Sequence, residues 1–338
     1  MVKPFAEVTS RTQVNRLRRL AREALPAWGL GDASLTLLNH GYNTTFRVDL
    51  PDGGRFALRV NTQPHKTAAH LRAEVAWLAA LSAQTGLRVP TPQPTTTGTL
   101  SAAAPSPDHG RALPLVLFSW LPGRNLGERW TRTQARAVGA AMAGLHDHAT
   151  GWTMPADAEL PLFDDVLTDL PNRLADHPAL DAEARRVLTA AYERAQRLQD
   201  EAFAGATIIP LHADLHGHNL KWHDSRLAVF DFDDAGLGVP ALDLAISAYY
   251  LRDDQASEQA LLAGYASVRP LPSVTPEQFE AMVAGRNLLL VNDLIDQPNA
   301  DLRAMVPGYV ATSVTRLRHW LRTGVFRREP VAEPARTE

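Results

Sequence analysis

The chain has 338 residues, 45% hydrophobic and 21% charged, which is ordinary globular usage, long enough for two domains and incompatible with bulk disorder or a small stapled scaffold. A net charge of -3 excludes the global basic field with which proteins hold nucleic acid or an anionic membrane surface, so neither is an expected partner. There is no cysteine and there are only three lysines, Lys3, Lys66 and Lys221, so disulfides, thiolate nucleophiles and Cys-bound zinc are excluded.

The N-terminus carries no apolar signal core, and the strongest apolar run, 113–121, is far short of a membrane span, so a cytoplasmic protein is expected. Behind Thr9 and Ser10, Val14, Leu17, Leu20, Ala21 and Leu25 recur at helical spacing, which predicts an amphipathic helix over about 10–28. Strand-like runs follow at 35–38, 45–48 and 55–60, the last two joined by Pro51-Asp52-Gly53-Gly54, so an antiparallel sheet begins here. Leu71, Val75, Leu78 and Leu81 return to helical spacing over about 67–83, on a helix that carries Glu74. The Pro-, Thr- and Ser-rich stretch 89–110 reads as loops and edge strands leading into the apolar run 113–118, and Pro122-Gly123 then breaks the chain. Beyond it the pattern is mainly helical, at about 131–148, 181–203, 240–251, 276–295 and 300–321, with two short strands at 207–211 and 227–230. Both strands run into clusters of polar residues, where chemistry is expected. The expected division is a first lobe over 1–118, a helical second lobe over 119–326 and a frayed polar tail over 327–338.

The densest polar cluster is Leu211-His212-Ala213-Asp214-Leu215-His216-Gly217-His218-Asn219-Leu220, with Asp231-Phe232-Asp233-Asp234 beginning twelve residues after Asn219. His-x-Asp-x-x-x-x-Asn followed by Asp-Phe-Asp meets the demand of phosphoryl transfer: one carboxylate takes the acceptor's proton, while an amide and a second carboxylate hold Mg²⁺ on the phosphates. Asp214, Asn219 and Asp231 supply one group each.

This segment resembles the catalytic and metal loops of the aminoglycoside phosphotransferase, homoserine kinase and choline kinase group, relatives of the protein kinases. The resemblance implies an α+β, two-lobed protein-kinase-like fold, with a small N-terminal antiparallel sheet plus helix and a large, mostly helical C-terminal lobe. It implies Asp214 as catalytic base, Asn219 and Asp231 as Mg²⁺ ligands, and His212 as a structural brace. Gly238-Val239-Pro240-Ala241-Leu242-Asp243-Leu244-Ala245 is similar to the group's Gly-x-Pro-x-x-Asp-Leu-Ala run, which makes Asp243 an anchor of the loops. In the first lobe Arg59 stands on the third strand where protein kinases have lysine, and Glu74, fifteen residues on, is its expected partner in holding the ATP phosphates. The phosphate-covering loop is expected at Gly41, Asn43, Thr44 and Thr45, with one glycine where protein kinases have three. Adenine is expected at the strand end containing Phe118 and Trp120. Leu145-His146 is similar to the group's Leu-His signature, whose role the sequence leaves open.

Other readings weigh less. The Asp231 loop is similar to the nucleophile loop of haloacid-dehalogenase-type phosphatases, but no lysine follows Lys221 to support an aspartyl-phosphate. His212, His216, His218 and His223 read as solvated or bracing rather than as a zinc cluster. No Gly-Lys dipeptide exists, so a Walker loop is excluded, and Gly236-Leu237-Gly238 lacks the third glycine of a dinucleotide fingerprint. The expected reaction moves the γ-phosphoryl group of ATP, with Mg²⁺, to a hydroxyl of a small molecule resembling homoserine, choline or an aminoglycoside. Asp233, Asp234, Asp253 and Asp254 form an acidic set that would attract an amine-bearing acceptor. A protein serine or threonine acceptor, a drug acceptor and a nucleotide-binding pseudokinase scaffold are the alternatives. The sequence leaves the acceptor's identity and the oligomeric state open.

Overall fold

A computed structural model describes residues 3–63, 66–168, 170–295 and 300–329; the part of the expected tail beyond 329 lies outside the described residues. The chain forms two compact units, one through Pro122 together with Thr153–Glu159, the other Gly123–Trp152 together with the chain from Leu160 onward. The first unit thus ends on the Pro122-Gly123 break, four residues beyond the expected 118. Thr153–Glu159 joins it through Arg72, which pairs with Asp157, and through the Glu159 N–H, which donates to Ala69 O.

In the first unit, α1 (Ser10–Ala24) starts at Thr9, whose hydroxyl accepts from Thr12 N, and runs into a short 3-10 turn at Leu25–Trp28. There follow β1 (Ser34–His40), β2 (Thr44–Asp49), β3 (Arg55–Val60), α2 (Ala68–Gln84), β4 (Ala102–Ser106) and β5 (Arg111–Ser119). The strands form one antiparallel sheet in the order β1-β2-β3-β5-β4. Along β2, Thr44, Phe46 and Val48 are buried and the intervening residues are not, the period of two that a half-buried strand requires. Phe46, Val48, Leu58, Val60 and Leu115 share one core with Val14, Leu17, Leu20 and Ala21 of α1. In the register of the sheet, Arg59 of β3 lies between Thr45 of β2 and Val116 of β5, so the strand that the resemblance selects is the central one.

The second unit contains β6 (Arg124–Asn125), α3 (Arg132–Gly151), α4 (Ala182–Phe203), β7 (Ile209–Leu211), β8 (Leu220–His223), β9 (Arg226–Val229) and β10 (Gly236–Gly238). It continues with α5 (Pro240–Leu251), α6 (Gln255–Ala266), α7 (Pro276–Ile295) and α8 (Ala300–Thr323). β7 pairs with β10, and β6, β8 and β9 form a second small antiparallel sheet. Helix α6, absent from the sequence reading, packs on α3 at very close range. A Cβ placed on Gly139 would lie 1.9 Å from Leu261 O, and one on Gly264 would lie 2.0 Å from Arg136 O. Neither helix tolerates a side chain at its crossing point. Beyond α8 the chain stays packed: Phe326 is fully buried, its N–H donates to Glu280 at 2.7 Å, and the Arg328 guanidinium lies over the ring of Tyr249 at 5.2 Å. The expected fraying from 327 therefore does not begin there; an apolar anchor and a stacked cation hold the strap. Among the described residues no helix is long and apolar enough to cross a membrane.

Candidate active site

The loop 212–219 follows β7, and one buried carboxylate sets its shape. Asp243, fully buried on the first turn of α5, accepts from Ala213 N at 2.7 Å (Oδ1) and from His212 N at 3.1 Å (Oδ2). Those two bonds hold Ala213 at φ 62°, a left-handed conformation that alanine adopts at a cost of about 1–2 kcal/mol. Oδ2 of Asp243 also accepts from His146 Nε2 at 3.0 Å, and the Nδ1 of the same ring bonds the Tyr265 hydroxyl at 2.9 Å. A carboxylate only accepts, so Nε2 carries the proton and Nδ1 accepts from the phenol. Burial above all, with the nearby carboxylates, pushes Tyr265 up to about 12, so it stays a neutral donor. The Leu-His signature thereby has a role here: His146 of α3 is the third support of the Asp243 anchor.

His212 connects the loop to the turn after β9. Its Nε2 donates to Phe230 O at 3.0 Å, its Nδ1 accepts from Asp214 N at 3.3 Å, and its ring lies 4.5 Å from that of Phe232. Gly217 lets the loop approach residues 125–127, since a Cβ there would lie 1.7 Å from Gly127 O. The loop is thus tied to α5 through Asp243 and to the turn after β9 through His212.

Asp214 carries three partners. Asn219 Nδ2 donates to its Oδ2 at 2.8 Å and to its backbone carbonyl at 3.0 Å, and His216 Nε2 lies 3.2 Å from the same Oδ2. Oδ1 receives Nη2 of Arg286, from α7, which also donates to the Tyr250 hydroxyl at 2.9 Å. Burial pushes the Asp214 carboxyl up, but the Arg286 guanidinium and the His216 bond outweigh it and bring it down to about 2. The group is an ionised hydrogen-bond acceptor.

The β8–β9 hairpin places the two expected metal ligands. Leu220 pairs with Val229, and Phe230 N donates to Asn219 O at 3.0 Å, so Asn219 and Asp231 leave the ladder at the same end. Asp231 sits at φ 66°, outside the region that non-glycine residues prefer. With its Nδ2 committed to Asp214, Asn219 has its carbonyl oxygen left to give, and Asp231 adds a carboxylate. Two hard oxygen donors fit Mg²⁺, which binds through one or two carboxylates plus substrate phosphates rather than a closed protein cage. Among the described residues no three His, Cys, Asp or Glu side chains are grouped so as to hold a metal ion.

In the first unit, Arg59 and Glu74 are both buried and joined by two parallel bonds, Nη1 to Oε1 at 2.8 Å and Nη2 to Oε2 at 2.5 Å. This fork is the strong form of a charge pair, and the guanidinium also lies 5.4 Å from the ring of Phe118 on β5. In the loop between β1 and β2, Gly41 and Tyr42 are exposed, while Thr44 Oγ1 bonds His40 Nδ1 at 2.8 Å and Asn43 Oδ1 accepts from Thr62 N at 3.3 Å. Asn43 and Thr44 therefore brace the loop, and Thr45 is half-buried on β2. Ser119 closes β5 through its N–H bond to Thr91 O at 2.9 Å, just before Trp120. Asp254 of the acidic set caps α6 through Ser257, and Asp253 accepts from Glu329 N at 3.2 Å.

Sequence reasoning found the residues that lie within one local motif and missed Arg286 and Tyr250. Arg286 is 72 positions from its partner and sits in no signature. The only signal was a lone charge in the otherwise uncharged run Ala281–Leu290 of α7.

Fold and site together define a kinase-like phosphotransferase of the protein-kinase-like superfamily. Residues 34–274 match the model of the phosphotransferase enzyme family, and the chain belongs to that family. It is 33% identical over 272 residues to an uncharacterized protein of Deinococcus radiodurans, with 77% of each chain covered. It is 23% identical over 228 residues to the amicoumacin kinase of Bacillus subtilis, covering 67% of this chain and 66% of that one. The solved structure of a microcompartment-associated aminopropanol kinase matches with a TM-score of 0.78 at 26% identity, over 92% of this chain and 99% of that one.

Proposed function

We propose that the protein transfers the γ-phosphoryl group of ATP to the hydroxyl of a small amino alcohol. The observation that carries this reading is the ionised Asp214 carboxylate, whose Oδ2 is shared with Asn219 on a loop tied down by Asp243. Asp214 takes the hydroxyl proton as the new oxygen–phosphorus bond forms. His212 and Asp243 keep the loop in shape. Arg59, oriented by Glu74, binds the α- and β-phosphates, the Gly41 loop with Asn43, Thr44 and Thr45 covers them, and the backbone between Phe118 and Trp120 reads the purine edge. Asn219 and Asp231 would hold Mg²⁺, which when bound offsets the phosphate charge. Catalysis then rests on positioning and charge neutralisation. An amine on the acceptor is supported by the aminopropanol kinase, whose name specifies an amino alcohol.

The test is transfer of labelled γ-phosphate from Mg²⁺-ATP to 1-amino-2-propanol, homoserine, choline and aminoglycosides, offered separately and beside a cell extract. Label in an amino alcohol is expected, and Asp231→Asn should raise the Mg²⁺ concentration needed for half-maximal rate. Label only in protein, or in none of the acceptors, would contradict the reading.

A further inference from the structure

Two of the groups on the Asp214 carboxylate belong to its own loop, and the third comes from a distant helix. Arg286 reaches Oδ1 from the middle of α7, with its side chain 9% exposed against 15% for Asp214. The nitrogen that binds Oδ1 also binds the Tyr250 hydroxyl, and the Tyr250 ring lies 5.1 Å from that of His216, which holds Oδ2. Behind Tyr250 stands the C-terminal strap: Arg328 donates to Tyr250 O at 3.2 Å and its guanidinium lies 5.9 Å from the Tyr250 ring. The base is thus gripped on both oxygens, and the second grip is supported from α5, α7 and the strap.

We propose that Arg286 is a positioning residue for phosphoryl transfer, fixing the plane of the Asp214 carboxylate through Oδ1 and so the direction from which that carboxylate takes the acceptor's proton. The inference rests on the phosphotransferase reading above. In the step it serves, the acceptor oxygen bonds to the γ-phosphorus, the bond from that phosphorus to the β–γ bridging oxygen breaks, and ADP leaves with the electron pair. The hydroxyl proton passes to the Asp214 carboxylate. Both bonds come from the one nitrogen Nη2, whose N–H directions are fixed in the guanidinium plane, whereas a lysine ammonium would offer the same charge at a freely rotating point. An arginine that merely tied α7 to the loop would affect stability, not the turnover of the folded enzyme.

The experiment measures steady-state transfer from Mg²⁺-ATP to the best acceptor of the panel, water included, for wild type, Asp214→Asn, Arg286→Met, Arg286→Lys and the double variant Asp214→Asn/Arg286→Met. Melting curves confirm folding, and Arg286→Lys serves if the methionine variant does not fold. Arg286→Met is expected to lower kcat by about 10²-fold, the cost of a misplaced reacting group, and to leave the KM for Mg²⁺-ATP within about twofold. Arg286→Lys should recover part of kcat. In the Asp214→Asn background the arginine substitution should cost nothing further, because Arg286 acts through that carboxylate. An unchanged kcat in folded Arg286→Met, a loss that appears in the acceptor KM alone, or a loss that multiplies with that of Asp214→Asn would overturn the proposal. Wild type with no Asp214-dependent transfer would instead overturn the phosphotransferase reading, and this inference with it.

Discussion

Asp214 is buried and yet a stronger acid than in water, because Arg286 and the His216 bond repay its lost hydration. A carboxyl depressed in the folded state stabilises the fold above its ordinary range, and that contribution is lost as pH falls through the folded value. With an ordinary value of 3.8 and a folded value of about 2, the contribution is about 2 kcal/mol, complete above about pH 5. Asp214→Asn, which mimics the protonated acid, should therefore unfold at lower urea than wild type at pH 7, with the gap closing between about pH 4 and 2. A gap constant across that range would show that the carboxylate is not held as described. At this scale the sequence was informative where partners are close in the chain. His212, Asp214, Asn219 and Asp231 share one short stretch, and their types and spacing are those that a phosphoryl-transfer motif would show. Arg286 was invisible because its relation to Asp214 exists only once α7 is packed.

Elements place these residues, and glycine decides how closely two of them approach. At the α3–α6 crossing, Gly139 and Gly264 face backbone, so the helices meet without side chains between them. Tyr265, on the same turn of α6 as Gly264, supports His146 and through it Asp243. Gly139→Ala should therefore destabilise the protein by about 1–3 kcal/mol, the range for overpacking a close contact, as read from its melting temperature. Unchanged stability would mean that the helices are free to separate. The helix α6 escaped the sequence reading for the same reason. Gly264 and the small residues of Gln255–Ala266 weaken the apolar stripe, and its Asp254 cap was read as part of an acidic surface. By contrast α1, α2 and the strands β2 and β3 were legible, since each has a clear period and its own turn or cap.

For the whole molecule, composition limited the possible chemistry and the motifs then selected it. The absence of cysteine removed thiolate mechanisms, the lack of a lysine beyond Lys221 weighed against an aspartyl-phosphate, and the resemblance puts an arginine, Arg59, at the position where protein kinases use lysine. The α+β class, with a small antiparallel sheet followed by a helical unit, could be read before any coordinates because the periodicity changes at Pro122-Gly123. The packing of the C-terminal strap could not, since Phe326 and Arg328 stand in a polar context and find their partners on α5, α7 and α8. The central claim is that one carboxylate does the proton chemistry while other groups bind the nucleotide. The direct measurement is single-turnover transfer from Mg²⁺-ATP by wild type and Asp214→Asn at saturating acceptor, with nucleotide affinity measured on the same preparations. The account predicts a loss of about 10²–10⁴-fold in rate, the range for removing a general base, with ATP affinity unchanged. Retained transfer in Asp214→Asn, or a loss explained by weaker ATP binding, would contradict it.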